Sequence, residues 1–263
     1  MIPWVLRGFL NRRLTTRWPA RADTYFDDFR AAVHPTPERV DHVSLQQLQA
    51  VCPTGAISAD VEGRLFVDRG KCVLCGRCVA AEPELLQWAG GSDIAALTRP
   101  GLVVGARTET DEALTAVRAD LTRRVRRLRR SVHIRHLDSG SDGSDEWEVQ
   151  ALLNPVYDVN RLGIYFTASP RHADILLVTG IGAIGMREAV ERTYEAMPDP
   201  RVVIAAGVDA VGGGIFADGY AAGHGAPSRL TVDVWIPGAP ASPFGLLHGI
   251  LLALGRVPER RTK

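Results

Sequence analysis

Four cysteines carry the chemistry of this chain, and their spacing groups them. Cys72, Cys75 and Cys78 stand at Cys-x-x-Cys-x-x-Cys intervals, so one tight loop can present three thiolates to one centre. Upstream, Cys52 is followed directly by Pro53. A triple run joined by a remote Cys-Pro is the ligand pattern of an iron–sulfur cubane. One alternative is a four-cysteine zinc site, which favours paired Cys-x-x-Cys knuckles. The other is two structural disulfides, which require an exported protein, and no signal peptide is visible. The expectation is one [4Fe–4S] cluster held by Cys52, Cys72, Cys75 and Cys78. Gly76 permits tight folding of the loop and Pro53 fixes the turn after its ligand. Arg77 is either a tuner of the cluster potential or a surface residue.

This arrangement resembles the bacterial-type ferredoxins, in which the Cys-Pro of one half completes the cluster of the other. Cys52-Pro53-Thr54-Gly55-Ala56-Ile57 is such a Cys-Pro end. The reciprocal ligand set is missing, because His42, Leu45 and Leu48 occupy its first three positions and Glu82-Pro83 its last. The resemblance therefore implies a two-cluster fold that has kept one cluster.

The elements that must position these residues follow from the patterning. A length of 263 residues suits two modest domains. With 46 % hydrophobic and 23 % charged residues and a net charge of +1, no global field argues for nucleic acid or an acidic substrate. The longest apolar candidate, Phe244 to Leu254, is too short to cross a bilayer and contains His248. Reduced thiols feeding a cluster imply a cytoplasmic location. Residues 1–14 read as an amphipathic helix with Trp4, Phe9 and several leucines on one surface and Arg7, Arg12 and Arg13 at its margin. Packing of that helix on its own domain is the other reading. Thr15-Thr16-Arg17-Trp18-Pro19 then leads into an extended arm. Helix, arm and ferredoxin pattern together resemble the ferredoxin-type subunit of complex I and of formate-hydrogenlyase-type hydrogenases, where helix and arm lie against membrane subunits.

Within the ferredoxin core the pattern predicts a helix over 44–51, a hairpin of 56–58 with 65–68, a short helix over 78–84 and a polar exit over 85–98. A strand is expected over 102–106. Residues 111–130 read as one helix ending in a basic run, Arg123 to Arg130, either a solvated C-terminus complementing the macrodipole or a contact with an acidic partner or lipid head groups. No reader motif accompanies the run, so nucleic acid is not expected. From Ser131 strands and helices alternate: strands over 132–136, 173–179, 201–206 and 230–236, helices over 146–153, 186–197 and 243–254. Continuous apolar strands alternating with helices mean a parallel sheet covered on both faces. The fold class is α/β, a ferredoxin-like α+β module followed by a flavodoxin-like parallel-sheet domain. The boundaries are 1–30 for helix and arm, 31–98 for the cluster module, 99–130 for the connector and 131–263 for the second domain.

Several loops of that second domain carry a further resemblance. Leu153-Asn154-Pro155-Val156-Tyr157-Asp158, Ser169-Pro170-Arg171-His172-Ala173-Asp174, Gly213-Gly214-Ile215-Phe216 and Ile236-Pro237-Gly238 are similar, in order, to the 20 kDa subunit of complex I and to small subunits of energy-converting hydrogenases. That family holds a proximal [4Fe–4S] cluster through four cysteines, and the corresponding positions here are Asp142, Asp145, Asp209 and Ala239. With no thiolate left, no cluster of the family type is expected there. Three readings of the vacated site remain: a relic filled by side chains or water, a carboxylate site for a hard cation formed by Asp142, Asp145 and Asp209, or a proton-handling group with Glu148 added. The scattered histidines, His136 among them, default to structural or surface roles.

The resemblances together imply a fusion of two neighbouring subunits of one complex. They imply an electron-transfer and scaffold role beside a large subunit like the nickel–iron or complex I catalytic subunit and an integral membrane subunit, on the cytoplasmic side of the inner membrane. No catalytic residue is assigned. The alternatives are a non-redox assembly or regulatory subunit with a structural cluster, and a stand-alone soluble ferredoxin. Gly180-x-Gly182-x-x-Gly185 follows a strand, but the next strand ends in Ala205-Ala206-Gly207 without the acidic residue a dinucleotide needs, so neither nicotinamide nor flavin is expected.

Overall fold

The computed structural model describes Leu6, residues 14–21, Asp23, residues 29–105 and 110–126, Leu128 and residues 131–259. The amphipathic helix expected over 1–14, much of the arm, and Arg127, Arg129 and Arg130 of the basic run lie outside the described residues.

The amino-terminal module carries two small antiparallel sheets. Strand β1 (Arg30–Pro35) pairs with β4 (Leu86–Gly90), and β3 (Leu65–Asp68) lies between β2 (Ile57–Ala59) and β5 (Val103–Val104). Helices α1 (His42–Val51) and α2 (Arg77–Ala81) complete it. Asp41 starts α1 by accepting the Ser44 N–H at 2.7 Å, which satisfies an orphan donor of the first turn. Val33, Leu48, Ile57, Leu65, Val67 and Leu86 form one small core, with Cys52, Cys72 and Cys78 packed at its edge. The strand β4 corrects the expected polar exit. Leu86 is fully buried against that core, and pairing with β1, a segment more than fifty residues away, makes a strand of a short stretch that has no alternating pattern of its own.

Helix α3 (Asp111–Val125) is capped by Thr110 and carries Asp111 and Glu112 in its first turn, Arg123 and Arg124 in its last. Arg124 binds Asp120, Asp233 and the Arg201 carbonyl, pinning the helix to the second domain.

That domain holds a five-stranded parallel sheet: β6 (Val132–Asp138), β7 (Ile164–Phe166), β8 (Ile175–Thr179), β9 (Val202–Ala206) and β10 (Val234–Ile236), in the order β10-β9-β8-β6-β7. This is the flavodoxin-like order, whose direction reverses between β6 and β8 and opens a crevice at their carboxyl ends. Ile175 and Leu177 face one layer and Leu176 and Val178 the other, so β8 is apolar throughout because both its faces are covered. One layer includes α7 (Pro243–Ala253), every residue of which is buried; the other includes α5 (Arg187–Glu195), which buries Val190 alone. Helix α4 (Ser144–Ala151) follows β6. Two elements were not anticipated, the short edge strand β7 and α6 (Gly207–Gly212); the glycines after α6, Gly213 and Gly214, both have positive φ.

The two halves are stitched together. Ala96 and Trp235 exchange backbone hydrogen bonds of 2.9 and 2.8 Å, adding the end of the amino-terminal module to the sheet edge at β10. Phe244 receives the edges of Trp18, Phe29 and Tyr157 at centroid distances of 6.0, 5.8 and 5.1 Å.

Candidate functional site

Each cysteine is placed by a local backbone device. Cys52 caps α1, its N–H bonding the Leu48 carbonyl at 3.2 Å. Cys72 closes the turn after β3, donating its N–H to Asp68 at 3.0 Å and Arg69 at 3.3 Å. The chain then enters the left-handed region at Leu74 (φ 54°) and Gly76 (φ 73°), which winds it around the site, and Cys78 lies in the first turn of α2. A Cβ on residue 76 would stand 2.8 Å from the Trp88 ring, so glycine is required there for space as well as for φ.

All four thiols are free, Cys75 exposed and the other three half-buried. Cys72 and Cys78 lie within electrostatic reach of the other cysteines. Backbone N–H groups face three of the sulfurs: Ala56 donates to Cys52 Sγ at 3.2 Å, and Leu74 and Val79 donate to Cys72 and Cys78. Burial pushes the Cys72 thiol up to about 11, against the lowering pull of the Leu74 N–H, and also raises Cys78. Among the described residues no three His, Cys, Asp or Glu side chains stand together as a site for a single metal ion.

Two cations near this loop differ sharply. Arg77 is solvent-exposed. Arg69, which the sequence reading did not single out, is 5 % exposed and donates to His34 Nε2 at 2.5 Å. Composition offers no signal for it, since burial of an arginine is decided by the strands around it.

In the second domain the three carboxylates at the family's ligand positions have separate surroundings. Asp142 is exposed and accepts from Ser144 N at 2.9 Å and Ser144 Oγ at 2.6 Å, which holds its carboxyl below the usual range. Asp145 is 4 % exposed, and its Oδ1 accepts the Ala241 N–H at 2.8 Å. Burial pushes it up to about 7, opposed by that hydrogen bond and reinforced by Asp209, Glu146 and Asp142. Asp209, on α6, is pushed up to about 6 by burial and then by Asp142 and Glu146. Ala239 is exposed. Glu148 is raised by burial alone.

Beside them runs a polar chain that sequence reasoning missed. Ser141 Oγ donates to Glu146 Oε2 at 2.6 Å, Thr179 Oγ1 donates to Glu146 Oε1, and His136 Nε2 lies 2.9 Å from Thr179 Oγ1. Burial holds His136 below its ordinary value, against the pull of Glu146. The residues come from three segments, so no local spacing could have revealed them.

The two sites adjoin. A cavity of about 210 Å³ is lined by Phe29, Leu74, Ile94, Glu148, Gly238 and Pro240, bringing the cysteine loop against the loop after β10. A Cβ on Gly212 would lie 3.8 Å from the Gly70 carbonyl, so α6 also approaches the cysteine loop backbone to backbone.

Residues 143–253 match the profile of the family described as NADH ubiquinone oxidoreductase, 20 Kd subunit. Formate hydrogenlyase subunit 7 of Escherichia coli (strain K12) is 37 % identical over 150 residues, covering 57 % of this chain and 58 % of that protein. The chain thus spans a little over half the length of that relative. The "Probable membrane-bound hydrogenase subunit mbhJ" of Pyrococcus furiosus is 41 % identical over 130 residues, covering 49 % of this chain and 78 % of its own. A chain of the membrane-bound sulfane sulfur reductase, an archaeal respiratory membrane complex, superposes with a TM-score of 0.45 at 30 % identity, covering 50 % of this chain and 72 % of that one.

Proposed function

The chain belongs to the NADH ubiquinone oxidoreductase 20 Kd subunit family, and from that membership we propose that it is an electron-transfer and scaffold subunit of a membrane-associated, complex I-like or hydrogenase-related oxidoreductase. In this reading the family domain, 131–263, is fused to a ferredoxin-type module, 31–98, joined by 99–130 and preceded by a helix and arm, 1–30. The module holds one [4Fe–4S] cluster through Cys52, Cys72, Cys75 and Cys78.

The observation that carries the reading is the donor set. Three of the four free thiols, Cys52, Cys72 and Cys78, pack at one edge of a small core and receive backbone N–H groups, and Cys75 lies exposed on the same loop. Buried thiols with raised pKa values are poor thiolates alone, and iron binding supplies the charge that keeps them deprotonated. When bound, the cluster supplies one-electron transfer. The protein's part is to hold the sulfurs by the turns at Leu74 and Gly76, to donate hydrogen bonds to them, and to seat the loop against α6 and the loop after β10.

The relatives' names place them in formate hydrogenlyase and in a membrane-bound hydrogenase. Carried to this chain, they support a large catalytic subunit and an integral membrane subunit as partners, with this subunit peripheral on the cytoplasmic side. No helix among the described residues is long and apolar enough to cross a membrane.

A second reading, an assembly or regulatory subunit with a structural cluster, is favoured by Asp145, whose carboxylate sits where the family has a ligand thiol. Anaerobic purification of the full chain tests both. Four irons and four sulfides per chain, with a reversible electron paramagnetic resonance signal on reduction, support electron transfer. A cluster destroyed by reduction favours the second reading, and zinc or eight irons per chain overturns the cluster assignment.

A further inference from the structure

We propose that residues 255–259, the segment after α7, form a strap that couples the amino-terminal module to the second domain, with Glu259 as its latch. Closed, the latch holds the module and its cysteine loop against the sheet domain; opened, it lets the module move. The coupling is the same whatever the cysteines bind.

The chain leaves the module through Ala95, Ala96 and Leu97, all three buried. Buried N–H groups must each find an acceptor, and three different parts of the second domain supply them. Ala96 bonds Trp235 of β10, backbone to backbone. Ala95 donates to His248 Nδ1 at 3.3 Å, and Leu97 donates to Glu259 Oε1 at 3.1 Å. The outer two therefore depend on side chains, and the strap controls both. A neutral imidazole that accepts at Nδ1 carries its proton on Nε2. His248 Nε2 lies 3.4 Å from the Pro258 carbonyl, so the strap accepts the proton of the tautomer that Ala95 needs.

The strap starts from a fixed point. Helix α7 ends in two backbone bonds, Gly255 N–H to Leu252 at 2.9 Å and Arg256 N–H to Leu251 at 2.8 Å, with Gly255 at φ 63°. That turn closes the helix and launches the strap. Arg256 then reaches the Leu162 carbonyl at 2.5 Å, and Val257 packs on the core. Glu259 makes the hold on the other half. Its Oε2 accepts from Arg118 of α3 at 2.8 Å while its Oε1 accepts from Leu97, so one carboxylate joins the module's exit to the connecting helix. The Glu259 side chain is 9 % exposed and that of Arg118 41 %, so the acid is largely desolvated and one cation and one N–H offset the loss of water.

The strap is the part placed to open. A cavity of about 360 Å³ lies between it, α3 and α7, lined by Leu97, Leu121, Leu252, Val257 and Pro258 together with Arg118. Local stability follows packing, and a segment held beside a void by polar contacts opens before a sheet buried on both faces. Release of Glu259 takes the acceptor from Leu97 and the anion from Arg118, and movement of Pro258 loosens His248 from Ala95. The backbone tie of Ala96 to Trp235 then remains at the exit. The cysteine loop rests on the second domain by close approaches at Gly212 and around Gly238 and Pro240, and these shift with the module.

The test is hydrogen–deuterium exchange of the full chain, read by mass spectrometry, for wild type, Glu259→Gln, Arg118→Met and Arg118→Lys. Glu259→Gln is expected to speed exchange about tenfold or more in peptides covering 86–98 and the cysteine loop, 71–78, with strands 175–179 and 202–206 unchanged. Arg118→Met should do the same, and Arg118→Lys, which keeps the cation, should lie near wild type. Glu259→Gln combined with Arg118→Met should add little to Glu259→Gln alone, because one latch is broken twice. Faster exchange confined to 255–259 overturns the inference, since the segment then frays without any hold on the module. A rise in every segment, the two strands included, also overturns it, because Glu259 then supports the whole fold. No change in any segment does so too.

Discussion

Asp145 and Gly207 are fitted to one another: a Cβ on residue 207 would come within 2.0 Å of Asp145 Oδ2. The carboxylate is fixed from the other side by the Ala241 N–H at 2.8 Å. A buried acid with one good hydrogen bond and a glycine cut to its shape is a packed group, so the second domain closes over this position without a thiolate.

Gly207→Ala should be costly. Residue 207 has φ 85°, where an L side chain is strained, and the new methyl meets the carboxylate. The expected loss is about 2–4 kcal/mol, read as a lower urea midpoint with an unchanged slope.

Asp145 also links stability to pH. Its folded pKa is raised from 3.8 to about 7, so between those values the folded state binds more protons than the unfolded one. Its contribution is complete below about pH 4 and declines as pH rises through about 7, a change of up to about 4 kcal/mol. Asp209, raised to about 6, acts in the same direction over a narrower window. Denaturant melts from pH 4.5 to 8 should show Asp145→Asn flatter than wild type in that range; identical slopes would contradict the burial argument.

At the cysteine loop, Gly76→Ala should lower iron content as well as stability. The added methyl would lie 2.8 Å from Trp88, at a residue with φ 73°. A loss of about 2 kcal/mol is expected, and iron and sulfide assays beside thermal unfolding would detect both effects.

Phe244 couples the arm to the second domain. It is 1 % exposed and meets Trp18, Phe29 and Tyr157 edge-on. Phe244→Ala should cost about 3–5 kcal/mol, and limited proteolysis should cut the arm sooner than in wild type.

Much of the fold was legible because it is written in local pattern. The strands expected over 173–179 and 201–206 are buried strands at 175–179 and 202–206, the helices expected over 44–51 and from Asp111 are present, and the hairpin of β2 and β3 turns around Gly63. What was misread depends on partners distant in sequence. Leu86–Gly90 shows no strand pattern by itself and pairs as a strand with Arg30–Pro35, distant in sequence. Residues 207–212 are too short to show a helical period by themselves, yet they form a helix whose Val208 N–H bonds the Gly238 carbonyl at 2.8 Å.

The candidate site divides along the same line. Which side chains carry sulfur, and that residues 142, 145, 209 and 239 carry none, were determined by residue identity, because ligand chemistry belongs to the side chain itself. That Arg69 is buried while Arg77 is exposed, that Asp145 is enclosed while Asp142 faces water, and that His136, Thr179 and Glu146 form one polar chain were decided only by tertiary structure. Desolvation and Coulomb energy depend on what surrounds a group, and those surroundings are assembled from segments far apart along the chain.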